Sequence, residues 1–118
     1  MSTPSSVFLA IKAGLHRDLA FDAINNEAVS RVLNILEKNS DDTEVDSSGN
    51  RCFYLSEVLW YGDDVDVFMN LLRKRPSDYI LVEDCWEYPN YNHLGNWNDS
   101  VWNPGWDSEC GLSFQLIH

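Results

Sequence analysis

Four apolar residues in a row, Tyr79-Ile80-Leu81-Val82, stand shortly after Pro76 and just before the acids Glu83 and Asp84. No polar residue interrupts the run, so it does not read as a strand with one wet face. Its β-branched and aromatic content predicts a strand from Tyr79 to Trp86, central in a small sheet. Farther on, Leu112, Phe114 and Leu116 alternate with Ser113, Gln115 and Ile117. That alternation predicts the partner strand. Between the two, Glu87 to Gly111 reads as a 25-residue irregular region. Loops of that length in a compact domain are often functional.

Upstream the pattern is helical. Ser5 or Ser6 can cap a short helix over Val7 to Ala13, closed by Gly14. A longer helical stretch runs from Arg17 to Lys38, split at Asn25-Asn26, with Asn26 as the second cap. Residues 39–50 are polar, carry Asp41, Asp42, Glu44 and Asp46, and predict a mobile loop. The alternating ligands and central glycine of a calcium loop are missing from it. Residues 51–61 suit either a strand or a helix. Leu55, Val58 and Leu59 at helical spacing favour a helix, and with it a helical hairpin across 52–74. Asp63 or Asp64 caps a clear helix to about Lys74, with Val65, Phe68, Met69 and Leu72 on one face, and Pro76 stops it. The expected fold is therefore α+β. N-terminal helices, in a helical part of about residues 5–75, pack on a small antiparallel sheet formed near the C-terminus. The strands and the tryptophan-rich loop occupy about 76–118.

A chain of 118 residues is one domain by the prior of about 100–200 residues per domain, and it can bury a core without disulfide staples. Its three cysteines, Cys52, Cys85 and Cys110, are odd in number and form no CxxC pair. Reduced thiols are the expected state, with a Cys85–Cys110 pair the alternative. Met-Ser-Thr-Pro-Ser-Ser at the N-terminus lacks the basic start and apolar run of a signal peptide. A soluble cytoplasmic protein is expected.

Charge is distributed unevenly. Residues 1–40 balance four basic side chains against four acids, while residues 41–118 hold fifteen acids against Arg51, Arg73, Lys74 and Arg75, the whole of the net −11. After Arg75 there is no Lys or Arg at all, yet four of the five tryptophans lie there: Trp86, Trp97, Trp102 and Trp106. Such a surface repels nucleic acid and attracts a basic protein. The expected partner-binding set is Trp86, Glu87, Trp97, Asp99, Trp102, Trp106, Asp107 and Glu109. The acids would steer encounter and the rings would anchor, since tryptophan gives large contact area at little rotamer cost. The competing reading is that these tryptophans pack back onto the sheet as core.

No catalytic, metal or cofactor set is assigned. His93 with Asp99, Asp107 or Cys110 fits no spacing with a mechanical rationale. There is no Gly-rich phosphate loop and no nucleophile elbow. Glu83 and Asp84, adjacent on a strand, point to opposite faces and are no acid/base pair. The function expected from the sequence is a small acidic inhibitor, not an enzyme. It would block a basic, nucleic-acid-binding or nuclease partner in the manner of phage anti-defence proteins. The alternatives are a toxin-immunity protein, a glycan or small-ligand module on the tryptophan loop, and a small enzyme using His93.

Overall fold

The computed structural model describes residues 4–85, 90–100, 102–107 and 111–116, with the backbone alone at 90–91, 103–107 and 111–116. Among these residues the elements run β1 (Ser5–Ile11), α1 (Ala13–Asp22), α2 (Glu27–Asn39), β2 (Asp42–Val45), β3 (Arg51–Val58), α3 (Asp63–Arg73), a 3-10 turn (Pro76–Asp78), β4 (Tyr79–Cys85), β5 (Asn90–Leu94), β6 (Trp102–Asp107) and β7 (Gly111–Leu116). β1 to β5 form one sheet in the order β2-β3-β1-β4-β5, and β6 and β7 form a separate hairpin. The α+β class holds, but the sheet is not confined to the C-terminus, because its middle strand is the first element of the chain.

β1 pairs antiparallel with both β3 and β4, and β3 pairs antiparallel with β2. β1 and β2 therefore run the same way with β3 between them. β3 and β4 likewise run the same way with β1 between them. These are two interleaved split β-α-β units, a connectivity also found in ferredoxin-like domains. That arrangement hosts many unrelated functions, so it says nothing by itself about activity.

Three sequence expectations are corrected here. Residues 7–11, expected as helix, are strand, and all seven residues of β1 are buried. An unbroken apolar run satisfies helical spacing trivially, and a strand covered on both faces reads as just such a run. Ser5 and Ser6 do not cap a helix. The Ser5 Oγ–H donates to Glu83 Oε2 at 2.8 Å and the Ser6 Oγ–H to the Ser56 carbonyl at 2.9 Å, which satisfies both buried hydroxyls. Residues 51–58, also favoured as helix, are β3. Phe53 and Leu55 face one core while Cys52 and Tyr54 face another. The third correction concerns the region after β4: residues 87–111, expected as irregular, include β5 and β6, and β7 pairs with β6 and not with β4, which lies between β1 and β5.

The helices follow from local chemistry. The Asn26 Oδ1 accepts from the N–H groups of Ala28 (3.1 Å) and Val29 (3.4 Å), starting α2 where the Asn25-Asn26 break is expected. α1 lacks a side-chain cap of its own, and instead the Ala13 N–H donates to Asn50 Oδ1 at 2.9 Å from the β2–β3 turn. α3 has Gly62 at its N-cap position and no side-chain cap, so Asp63 and Asp64, expected as its cap, lie instead with Asp66 in its first turn, and with Arg73 in the last turn they match the helix dipole. Residues 39–50, expected as loop, include β2. The Asp46 carboxylate shapes its turn into β3, accepting from the N–H groups of Ser48 and Asn50, both at 2.9 Å.

All three helices pack on one face of the sheet. Leu15, Leu19, Val32, Leu36, Phe68 and Leu72 meet Val7, Leu9, Ile11, Phe53, Leu55 and Leu81 there. The other face presents Phe8, Ala10, Cys52, Ile80 and Val82, and Trp97 and Trp102 close over it. Gly95 turns the chain out of β5 toward that second layer with φ at +83°. The neighbouring N–H groups are fixed, Asn96 to the Pro76 carbonyl (2.7 Å) and Trp97 to the Tyr79 carbonyl (3.2 Å).

Two outcomes are expected. A Cβ at Gly95 would lie 2.2 Å from the Tyr79 carbonyl oxygen at a positive φ. Gly95→Ala should therefore cost about 3 kcal/mol in urea denaturation, from overpacking plus the unfavourable backbone region. Asp41 accepts a 2.6 Å hydrogen bond from the Ser56 N–H, which holds its carboxyl below the ordinary carboxylate range. A depressed folded pKa stabilises the fold above the unfolded value of about 3.9, and that contribution is lost as pH falls through the folded value. The acid-induced drop in urea midpoint should thus be shallower in Asp41→Asn than in the parent.

Candidate functional site

Of the tryptophan-loop residues, the two tryptophans whose side chains are described lie inside the fold. Trp97 is 4 % exposed and Trp102 1 % exposed, so both rings line the second core. The Trp102 Nε1–H donates to Glu44 Oε2 at 2.6 Å, which fastens β6 to the edge strand β2. The Lys12 ammonium lies 6.0 Å from the centre of the Trp97 ring, within cation–π reach. Neither ring is on the surface of the described fold. The sheet has two apolar faces, the helices cover one, and these rings cover the other. Asp99 is exposed in the turn before β6. Trp106 and Asp107 lie on β6 opposite Leu112 and Gly111, where the backbone alone is described. Trp86, Glu87 and Glu109 lie outside the described residues.

A different surface brings acids and apolar groups together. The register aligns Ser5, Val58 and Cys85 at one end of the sheet. Glu57, Glu83 and Asp84 stand at or beside that end, on β3 and β4. From Val58 the chain passes through residues 59–62 into the acidic first turn of α3. Leu59 (51 % exposed) and Tyr61 (55 % exposed) project from this connection, while Trp60 between them turns inward. The Trp60 ring meets Phe68 edge-on at 6.2 Å between centroids. Arg31 forks onto Asp64 at 2.7 and 3.0 Å and raises its own pKa by doing so. Among the described residues, Glu57, Asp63, Asp66, Glu83 and Asp84 make no ion pair. At the opposite end of the sheet, charge is compensated instead: Lys12 pairs with Asp78 at 3.5 Å, and Arg75 pairs with both Asp18 and Asp78.

Beside the acidic end lies a groove of about 520 Å³ between α3 and the β4–β5 edge. Its apolar wall is Trp60, Val65, Met69, Leu81 and Leu94, and its polar groups are Asp66, Arg73, Glu83, Asn92 and His93. Leu81 pairs with Leu94 and Glu83 with Asn92 across β4 and β5. Glu83 shares the helix-side face of the sheet with Leu81 and Tyr79, while Asp84 takes the other face, as their adjacency on a strand requires. The Glu83 carboxylate is held from two sides, by Ser5 Oγ at 2.8 Å and by Asn92 Nδ2 at 3.5 Å. Sequence reasoning missed this groove. The legible signal was Glu83, an acid that continues the inward-facing side of an otherwise apolar strand.

His93 is an exposed residue of β5. Among the described residues, no group of three or more His, Cys, Asp or Glu side chains gathers as a metal site. Cys52 and Cys85 are free thiols, and Cys110 lies outside the described residues. Burial pushes the Cys52 thiol up, and Glu44 and Asp42 add to the shift, so it is a poor nucleophile. No described helix is long and apolar enough to cross a membrane. Compared with protein-family models, with curated proteins and with solved structures, the chain has no match.

If Trp102 holds the second core and fastens β2, its truncation should be costly in two separable ways. Trp102→Ala should lose about 3–5 kcal/mol of unfolding free energy. Trp102→Phe, which keeps an aromatic ring but removes the donor to Glu44, should lose about 1.5–3 kcal/mol. Urea unfolding of both variants measures the split, and equal stability of Trp102→Phe and the parent would show the Glu44 bond to be immaterial.

Proposed function

We propose that this protein is a small acidic inhibitor that binds and blocks a basic partner, a nuclease or another nucleic-acid-binding protein, of the phage anti-defence type. The observation that carries the reading is the gathering of unpaired acids at one end of the sheet around the exposed Leu59 and Tyr61. Carboxylates in such a field raise the rate of encounter with a basic surface. Exposed Leu and Tyr side chains among them provide the desolvated contacts that slow dissociation. A nucleic-acid groove on the partner suits this surface, because carboxylates can occupy the places of phosphates. The binding face is accordingly the 57–66 connection with Asp84. Nothing in the role requires bond-making chemistry by this chain, so the reading is of a binder and not of an enzyme.

The test is binding to a panel of purified basic nucleases and DNA-binding proteins. At least one should form a stoichiometric complex and lose its nucleic-acid binding or cleavage. Affinity should fall steeply between about 50 mM and about 200 mM salt, the range over which phosphate-like contacts are screened. The triple variant Glu57→Gln/Asp63→Asn/Asp84→Asn should slow association at least tenfold, and Tyr61→Ala should speed dissociation. A complex indifferent to salt and to both variants would overturn the reading.

A further inference from the structure

We propose that the groove between α3 and the β4–β5 edge receives one arginine side chain projecting from the basic partner. This inference rests on the inhibitor reading, since it names what that partner would insert.

The groove has the parts that an arginine requires. Met69, Leu81 and Leu94, with the edge of the groove at Trp60, line an apolar side for the three-methylene stem. Two carboxylates, Asp66 on α3 and Glu83 on β4, face the same space. Glu83 is oriented beforehand. Each of its oxygens already takes one hydrogen bond, Oε2 from Ser5 and Oε1 from Asn92. A carboxylate has roughly four lone-pair sites, so one remains on each oxygen. That pair of free sites matches the two parallel N–H groups of a guanidinium fork, which a lysine ammonium cannot reproduce.

Charge also limits the number of guests. Arg73 lines the groove two turns along α3 from Asp66, with its Nη1 donating to Asn70 Oδ1 at 3.3 Å. A second cation placed near it would be repelled, while the backbone carbonyl of an inserted segment would be attracted. The groove thus has a direction, with the guanidinium at Asp66 and Glu83 and the main chain toward Arg73. Its volume of about 520 Å³ falls in the usual range of about 300–1,000 Å³ for sites that enclose a ligand. It holds a side chain together with part of the segment that carries it.

The experiment is an amide-resolved NMR titration with acetylated, amidated Gly-Arg-Gly, and with Gly-Lys-Gly as the comparison. Saturable shifts are expected at the Trp60 indole N–H and at Glu83 and Asn92 with the arginine probe, and at least fivefold weaker binding with the lysine probe. Asp66→Asn/Glu83→Gln should weaken arginine binding at least tenfold. Asp22→Asn/Asp42→Asn removes the same two charges from exposed positions outside the groove and should change it less than twofold. Equal weakening in the two double variants, or no saturable shift in the parent, would overturn the groove assignment. Should the panel complex persist in Asp66→Asn/Glu83→Gln under those outcomes, the inhibitor reading would survive without it. A groove titration that behaves as expected beside an empty panel would instead remove the inhibitor reading alone.

Discussion

The structure depends on a single strand that must be dry on both faces. β1 is buried at every position from Ser5 to Ile11. Its alternate residues, Val7, Leu9 and Ile11 against Phe8 and Ala10, belong to two different cores. Each core needs a lid. Three helices, α2 and α3 strongly amphipathic, are available for the first. For the second the chain supplies the segment after Gly95, and large rings there cover much area from few residues. The tryptophans that make this C-terminal third look like a sticky surface are in part the answer to a packing problem at the N-terminus.

That packing problem bears directly on the proposed partner surface. Once Trp97 and Trp102 are committed inside, acids and exposed apolar groups must be sought where the fold brings them together. The antiparallel register does this at the Ser5, Val58 and Cys85 end of the sheet, where β3, β4 and the start of α3 converge. The other end of the same sheet holds Lys12, Arg75, Asp78 and Asp18 in mutual ion pairs. The net −11 is therefore uneven over the fold as well as along the sequence. Exposed pairs of this kind contribute only about 0–1 kcal/mol each to stability. Their larger effect is to neutralise that end, while among the described residues Glu57, Asp63, Asp66, Glu83 and Asp84 at the other end make no ion pair.

Much of the fold was legible where punctuation and periodicity agreed. α3 lies between Gly62 and Pro76 with acids first and basic residues last, and its apolar face emerged as expected. Asn26 caps α2 with its own side chain. β4 was legible as an interior strand because four apolar residues in a row leave no wet face. β1 was not, because the same kind of run also fits one turn after another of a short helix. β3 failed for a related reason: Leu55, Val58 and Leu59 sit at helical spacing, but the pairing of Arg51–Leu55 with Ile11–Val7 decides the matter, and pairing is long-range information. At the site, Glu83 and Asp84 were correctly separated onto two faces. The groove beside Glu83 needed α3 laid across the sheet before it existed.

By itself the sequence determined the inventory: an α+β chain, helices at α2 and α3 with the Asn26 cap of α2, an interior apolar strand at β4, and a strongly acidic balance with no basic residue after Arg75. These are local properties, fixed by side-chain chemistry and by periods of two or 3.6 residues. Only the tertiary structure decided which strand lies at the centre, which tryptophans are core, and which acids share an end of the sheet with Leu59 and Tyr61. Those outcomes depend on pairing between residues fifty or more positions apart, such as Ser5 with Val58 and Cys85. Strand pairing makes neighbours of residues whose sequence separation carries no signal of it, and charge and apolar surface become a site only once they are neighbours.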